Sequence, residues 1–180
     1  MKVANRLRHA LLALAAVALW GAAGPARATM AGAANDPYAA PIGRIVQSIT
    51  EYTTWPTRPN PVTLCVIGPA SHAEGLDGLR LADGRLIERR TVALAGFAPG
   101  ACEVLYIGRL TMPDTRMITA QARGRGVLTI AEADPDCRSQ AMFCLLYPPQ
   151  AVTFRMNIDA IARSGLKVDP RVLRIAQGGR

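Results

Sequence analysis

The chain has 180 residues, half of them hydrophobic, and 21 Lys and Arg against 13 Asp and Glu give it a net charge of +8. That length makes a domain able to bury a real core. Aromatics are only 5% and the basic residues are scattered, which excludes the basic stripe with interleaved aromatics that a nucleic-acid-binding surface needs.

The first segment reads as an export signal. A short basic stretch holding Lys2, Arg6 and Arg8 precedes fourteen uncharged residues, Ala10 to Ala23. Gly24-Pro25 then breaks any helix, and Ala26-Arg27-Ala28 offers the small residues of a cleavage site. A membrane span needs roughly 20 apolar residues, more than this run supplies. The expectation is a cleaved signal peptide over 1–28 and a loose tail over 29–37. The leader holds four basic residues and no acid, so residues 29–180 carry +4. An α/β domain follows over 38–176, and 177–180 reads as a C-terminal tail.

Ile42, Ile45, Val46, Ile49 and Tyr52 recur at helical spacing and form one buried face. Pro56 stops that helix, because the residue before a proline is pushed out of helical geometry. Val62 to Ile67 is a short interior strand bounded by Gly68-Pro69. Ser71 and Glu74 have the spacing of a capping box, which predicts a short helix to Leu79 with Leu76 and Leu79 inward. Arg85 to Leu94 alternates loosely as a strand, and Cys102 to Ile107 is another buried one. A helix is expected over Pro113 to Ala122 and a strand over Gly126 to Ile130. Met142 to Tyr147 lacks polar alternation and predicts a strand buried on both faces. Ala151 to Asn157 does alternate, with Val152, Phe154 and Met156 on one face. Ile158 to Ser164 is a short helix closed by Gly165. Asp169-Pro170 opens a last helix that buries Val172, Leu173 and Ile175. Strands and short helices alternate, so the fold class is single-domain α/β: a central mixed β-sheet flanked by short helices.

The four cysteines, Cys65, Cys102, Cys137 and Cys144, form an even set in an exported chain and point to two disulfides. Three connectivities are open. Joining Cys137 to Cys144, with six residues between them, closes the smallest loop and leaves Cys65 with Cys102. The missing Cys-x-x-Cys argues against a thioredoxin-like centre. The cysteine spacings and the single histidine beyond the leader argue against structural zinc. That histidine, His72, could serve as a general base beside Ser71 or Glu74, but reads better as a solvated residue of a capped first turn. Glu132, Asp134 and Asp136 lack the glycine turn and downstream bidentate acid of a calcium loop and read as a solvated acidic loop. Arg123-Gly-Arg-Gly126 lacks the spacing of a phosphate loop. The residues predict no catalytic group, no metal and no cofactor, and favour a binding module.

The segment Val152-Thr-Phe154-Arg-Met156-Asn157, the helix ending Ser164-Gly165-Leu166 and the closing Val172-Leu173-Arg174-Ile175-Ala176 together resemble the C-terminal signature of YfiR-like proteins. The helix ending Tyr52-Thr-Thr-Trp55-Pro56, the strand Leu64 to Gly68, the Cys102 to Ile107 strand and Val127 to Ile130 are similar to that family's other landmarks, in order. The resemblance implies a non-enzymatic periplasmic regulator. It would bind the periplasmic domain of an inner-membrane diguanylate cyclase (YfiN), or another sensor protein, and limit cyclic di-GMP and biofilm formation. It also implies an outer-membrane lipoprotein (YfiB) as a second partner, and its four-cysteine version fits the Cys65–Cys102 and Cys137–Cys144 pairing. The surface expected to grip a partner comprises Phe143, Ile161, Leu166 and Leu173, and a homodimer through it would fit too. Competing readings are a periplasmic small-ligand binding protein and, behind it, a thiol–disulfide oxidoreductase using Cys137 and Cys144.

Overall fold

The computed structural model describes residues 36–149 and 151–178. The expected signal peptide and all but the last two residues of the expected tail lie outside the described residues. The first element, α1 (Ala39–Glu51), places Ile42, Ile45, Val46 and Ile49 on one buried face. A short strand β1 (Thr53–Thr54) follows it directly. The strand β2 (Val62–Ile67) spans the predicted residues, and β3 (Ile87–Val92) and β4 (Val104–Ile107) come next. Then α2 (Met112–Ala122) is capped by Thr111, whose hydroxyl oxygen accepts the Asp114 N–H at 3.2 Å. The remaining elements are β5 (Leu128–Ala131), β6 (Phe143–Leu146), β7 (Thr153–Met156), α3 (Ile158–Ala162), β8 (Lys167–Val168) and α4 (Leu173–Gly178).

Six strands form one mixed sheet in the order β3-β2-β4-β5-β6-β7. The first five are parallel and β7 closes the edge antiparallel to β6. Along β2 and β4, alternate side chains enter two separate cores. Leu64, Val66, Val104 and Tyr106 face α1, while Cys65, Ile67, Leu105 and Ile107 pack with Ile118 and Ala122 of α2. Both faces are thus covered, which is why the central strands read as unbroken apolar runs. β1 pairs with β8 as a separate two-stranded sheet, Thr53 opposite Val168.

The two disulfides join Cys65 to Cys102 and Cys137 to Cys144, as the smallest-loop pairing has it. The first ties β2 to the residues leading into β4. In the loop-entropy model it constrains the unfolded chain by about 4 kcal/mol, and the second by about 2.5.

Three local expectations need correction. The Ser71–Glu74 capping box does not form: Ala73–Leu76 is a 3-10 turn whose N-cap, His72, makes no side-chain cap bond. The Ser71 N–H instead goes to the Glu132 carboxylate at 2.7 Å. Leu173 is not buried but 43% exposed, because a 3-10 turn (Pro170–Val172) precedes α4 and aims Val172 inward instead. Finally, the acidic loop after β5 is not solvated as a whole: Glu132 and Asp134 are buried and only Asp136 is exposed.

Candidate functional site

A doubly wound parallel sheet gathers its functional groups at the carboxyl ends of its strands, near the point where strand order reverses. Here that point lies between β2 and β4. Backbone closes it: the Gly108 N–H donates to Ile67 O at 2.9 Å and the Arg109 N–H to Pro69 O at 2.7 Å. A Cβ on Gly108 would stand 2.4 Å from the Pro69 carbonyl oxygen, so only glycine allows the approach.

The polar groups collect one strand over, on the α1 side. Glu132 directly follows β5 and is 3% exposed; its Oε1 accepts the Ser71 N–H. Among the described residues its Oε2 has no hydrogen-bond partner of good geometry, and neither have the hydroxyls of Tyr106, in β4, and Tyr147, just after β6. Burial, then the neighbouring Tyr147 and Glu132, pushes the Tyr106 phenol far above its ordinary range. Burial and then Glu132 raise Tyr147 as well. Both phenols therefore keep their protons and can only donate or share them. Above them sits the His72 ring, 5.3 Å from Tyr38 and 5.1 Å from Tyr147 between centroids, with Nδ1 2.7 Å from Asp36 Oδ2. Burial works to raise the Asp36 carboxyl, but the His72 and Tyr38 N–H hydrogen bonds outweigh it and hold the group below its usual range.

His72 is thus held between two tyrosines and a carboxylate, not solvated in a helix cap. Tyr38, Tyr106 and Tyr147 escaped the reading of the sequence. The one visible signal was position, since Tyr106 and Tyr147 lie within strands expected to be buried.

The second constellation lies on the other face, in the loop from β5 to β6. The buried Asp134 carboxylate accepts the N–H groups of Arg138 at 3.0 Å and Ser139 at 2.7 Å. Cys137 and Gln140 take positive φ angles of 55° and 66°, which lets the loop wrap this carboxylate. α2 anchors the loop from outside: Thr119 Oγ1 donates to Ser139 O at 2.6 Å and Arg116 Nε to Arg138 O at 3.0 Å.

The four residues expected at a partner surface are not together on one. Phe143 is fully buried and packs edge-on against Phe154 at 5.4 Å; Leu166 is buried too. Both hold the core and offer a partner no area. Ile161 is half-buried and Leu173 exposed. The most exposed large apolar residue among the described ones is Ile158, 71% accessible at the start of α3, which the sequence reading missed. The same C-terminal segment carries exposed Arg163, Lys167, Arg171 and Arg174. Arg171 lies over the Tyr52 ring at 5.6 Å and pairs with Asp169 at 2.6 Å.

Two open cavities flank Trp55. One of about 240 Å³ lies against Glu51, Arg58 and Arg85, and one of about 410 Å³ against Glu103, Arg125 and several glycines. No described helix is long and apolar enough to cross a membrane.

Residues 43–177 match the family model described as YfiR/HmsC-like. The chain belongs to that family.

Proposed function

We propose that this protein is an exported periplasmic regulator. It binds the periplasmic sensor domain of an inner-membrane signalling enzyme, a diguanylate cyclase, and holds it inactive, limiting cyclic di-GMP and biofilm formation. Membership of the YfiR/HmsC-like family carries the reading. Two disulfides with no free cysteine suit an oxidising compartment. The exposed Ile158 and Leu173, on a segment rich in Arg and Lys, suit a partner that offers an apolar contact within an acidic rim. An outer-membrane lipoprotein that sequesters the regulator would compete for the same surface. Binding, not catalysis, is the activity proposed: His72 is committed to Asp36 and every cysteine is paired.

Deleting the gene and measuring cellular cyclic di-GMP tests this. The expected result is a rise in cyclic di-GMP and in biofilm, reversed by the wild-type gene. Unchanged levels of both would overturn the reading.

A second reading, a small-ligand binding protein, is favoured by three buried polar atoms at the strand ends, Tyr106 Oη, Tyr147 Oη and Glu132 Oε2, that make no hydrogen bond of good geometry among the described residues. Thermal-shift screening of the purified protein against periplasmic metabolites tests it. Stabilisation that disappears in Tyr147→Phe would support it, and no shift with any metabolite would remove it.

A further inference from the structure

The loop from β5 to β6 brings a buried carboxylate against a disulfide. One donor atom from each of Asp134, Cys137 and Cys144 lies within 4.8 Å of the other two, and Cys144 Sγ is 3.9 Å from Asp134 Oδ2. We propose that these three residues form a zinc site once a dithiol reductant has opened the Cys137–Cys144 bond.

Four observations carry this. Asp134 is 4% exposed, yet among the described residues no Lys or Arg side chain lies within ion-pairing distance of it. A buried carboxylate without a cation is costly, and two new thiolates beside it would make the site more negative still. A divalent cation answers that charge directly. Second, the Arg138 and Ser139 N–H groups fix the carboxylate's orientation. They use two of its roughly four acceptor positions and leave the rest for a metal. Third, the Cys137 N–H donates to Asp134 O at 3.0 Å. This closes the run Asp134-Pro-Asp-Cys137 into a turn with the two-residue ligand spacing of structural zinc sites. Fourth, tetrahedral zinc with Zn–S of about 2.3 Å and Zn–O of about 2.1 Å wants sulfur and oxygen about 3.6 Å apart. The Cys144–Asp134 pair already stands near that distance. The sulfurs must separate to about 3.8 Å, which loss of their bond permits, and Cys137 Sγ, within 4.8 Å of the carboxylate, must settle about 3.6 Å from it. Cys137 is the half-buried member of the set, so the fourth position opens toward water.

The steps balance. The external dithiol gives two electrons and two protons to the disulfide, leaving two protein thiols and one oxidised reductant. Zinc then displaces the two thiol protons to solvent and binds two thiolates and the Asp134 carboxylate. Reading the cysteine spacings alone missed this site, because its third ligand is an acid that only the fold brings in. The metal would hold Cys137 and Cys144 apart and keep the disulfide from re-forming. The site is independent of the regulatory reading above.

The test uses full-length exported protein reduced with dithiothreitol, which is then removed without oxygen before cobalt(II) or zinc(II) is added. The reduced wild type should bind one cobalt with sulfur-to-metal charge-transfer absorption, and zinc should displace it. The oxidised protein should bind none. Asp134→Asn should weaken binding by more than about tenfold. Because Asp134→Asn also removes a loop acceptor, alkylation of the wild type gives a second measure. Zinc should shield Cys137 and Cys144 from iodoacetamide and leave Cys65 and Cys102 as reactive as without metal. The proposal is overturned if the reduced wild type binds no metal, or if the Cys137→Ser/Cys144→Ser double variant binds it equally well. Shielding that falls on Cys65 and Cys102 instead would also overturn it.

Discussion

At the scale of single residues, the cluster around Glu132 departs furthest from ordinary interiors, where buried polar groups are almost always paired. Tyr106 Oη makes no hydrogen bond of full geometry among the described residues, although the Glu132 carboxylate and the Tyr147 hydroxyl lie near enough to bond it weakly. Removing it should relieve desolvation and break only weak contacts. Tyr106→Phe is therefore expected to leave stability within about 0.5 kcal/mol of wild type, or to raise it by up to about 1 kcal/mol. Urea unfolding reads this, and a loss of 1 kcal/mol or more would mean that the hydroxyl is strongly bonded after all. Glu132 behaves oppositely, because its Oε1 accepts the Ser71 N–H. Glu132→Ala should cost about 2–3 kcal/mol in the same measurement, while Glu132→Gln, which keeps an acceptor, should cost less than half as much. Asp36 adds a pH dependence. Its carboxyl is held below the usual range in the folded state, so its contribution is present above the unfolded value of about 3.9 and is lost as pH falls through the folded value. The stability gap between wild type and Asp36→Asn should be steady at pH 5 to 6 and shrink below about pH 4. A gap that widens on acidification would contradict the His72–Asp36 arrangement.

At the scale of elements, α1 and the 3-10 turn Ala73–Leu76 meet backbone to backbone. A Cβ on Gly75 would stand 1.8 Å from Ala39 O, and one on Gly43 would stand 2.2 Å from Gly75 O. Gly75→Ala should therefore push α1 off the sheet and lower stability by about 2 kcal/mol or more, an overpacking cost. Gly100→Ala, with open space around its Cβ and no strained φ, is the matched control and should stay within about 0.5 kcal/mol. Thermal melts of both variants check the pair. This contact was not legible in the sequence, where Gly43 and Gly75 lie far apart in otherwise helical text. Periodicity did reveal α1, because it buries one face whose repeat shows along the chain, while the interior strands showed as unbroken apolar runs because both of their faces are covered. The β1–β8 pair was missed because two residues carry no repeat. The capping box failed because Ser71, although correctly spaced from Glu74, gives its N–H to an acid 61 positions later. The polar cluster was illegible for the same reason: its members come from five separate segments, joined only when the strands take their order.

At the scale of the whole fold, the sheet is covered on both faces, and its outer strands are defended differently. β3 lines its exposed edge with Glu88, Arg89 and Arg90, charges that discourage strand addition. β7 is flanked by the C-terminal elements: the Thr153 hydroxyl donates to Ala176 O at 3.0 Å. Of the large apolar side chains left exposed among the described residues, Leu86 precedes β3 and Met117 lies on α2, each alone, whereas Ile158 and Leu173 both fall in the C-terminal segment. The regulatory reading then predicts a separation between two kinds of variant. Ile158 and Leu173 each begin a helix, where an acid is favoured by the helix dipole. Ile158→Asp/Leu173→Asp should fold with a stability within about 1 kcal/mol of wild type, yet fail to restore low cyclic di-GMP in the deletion strain. Phe143→Ala, in contrast, should cost about 3–5 kcal/mol, because it empties a fully buried site. It should fail through loss of folded protein, visible as reduced abundance. Quantifying periplasmic protein by immunoblot beside cyclic di-GMP distinguishes the two failures. If the double Asp variant restores repression at normal abundance, the gripping surface lies elsewhere, and the two cavities flanking Trp55 become the next place to introduce bulk.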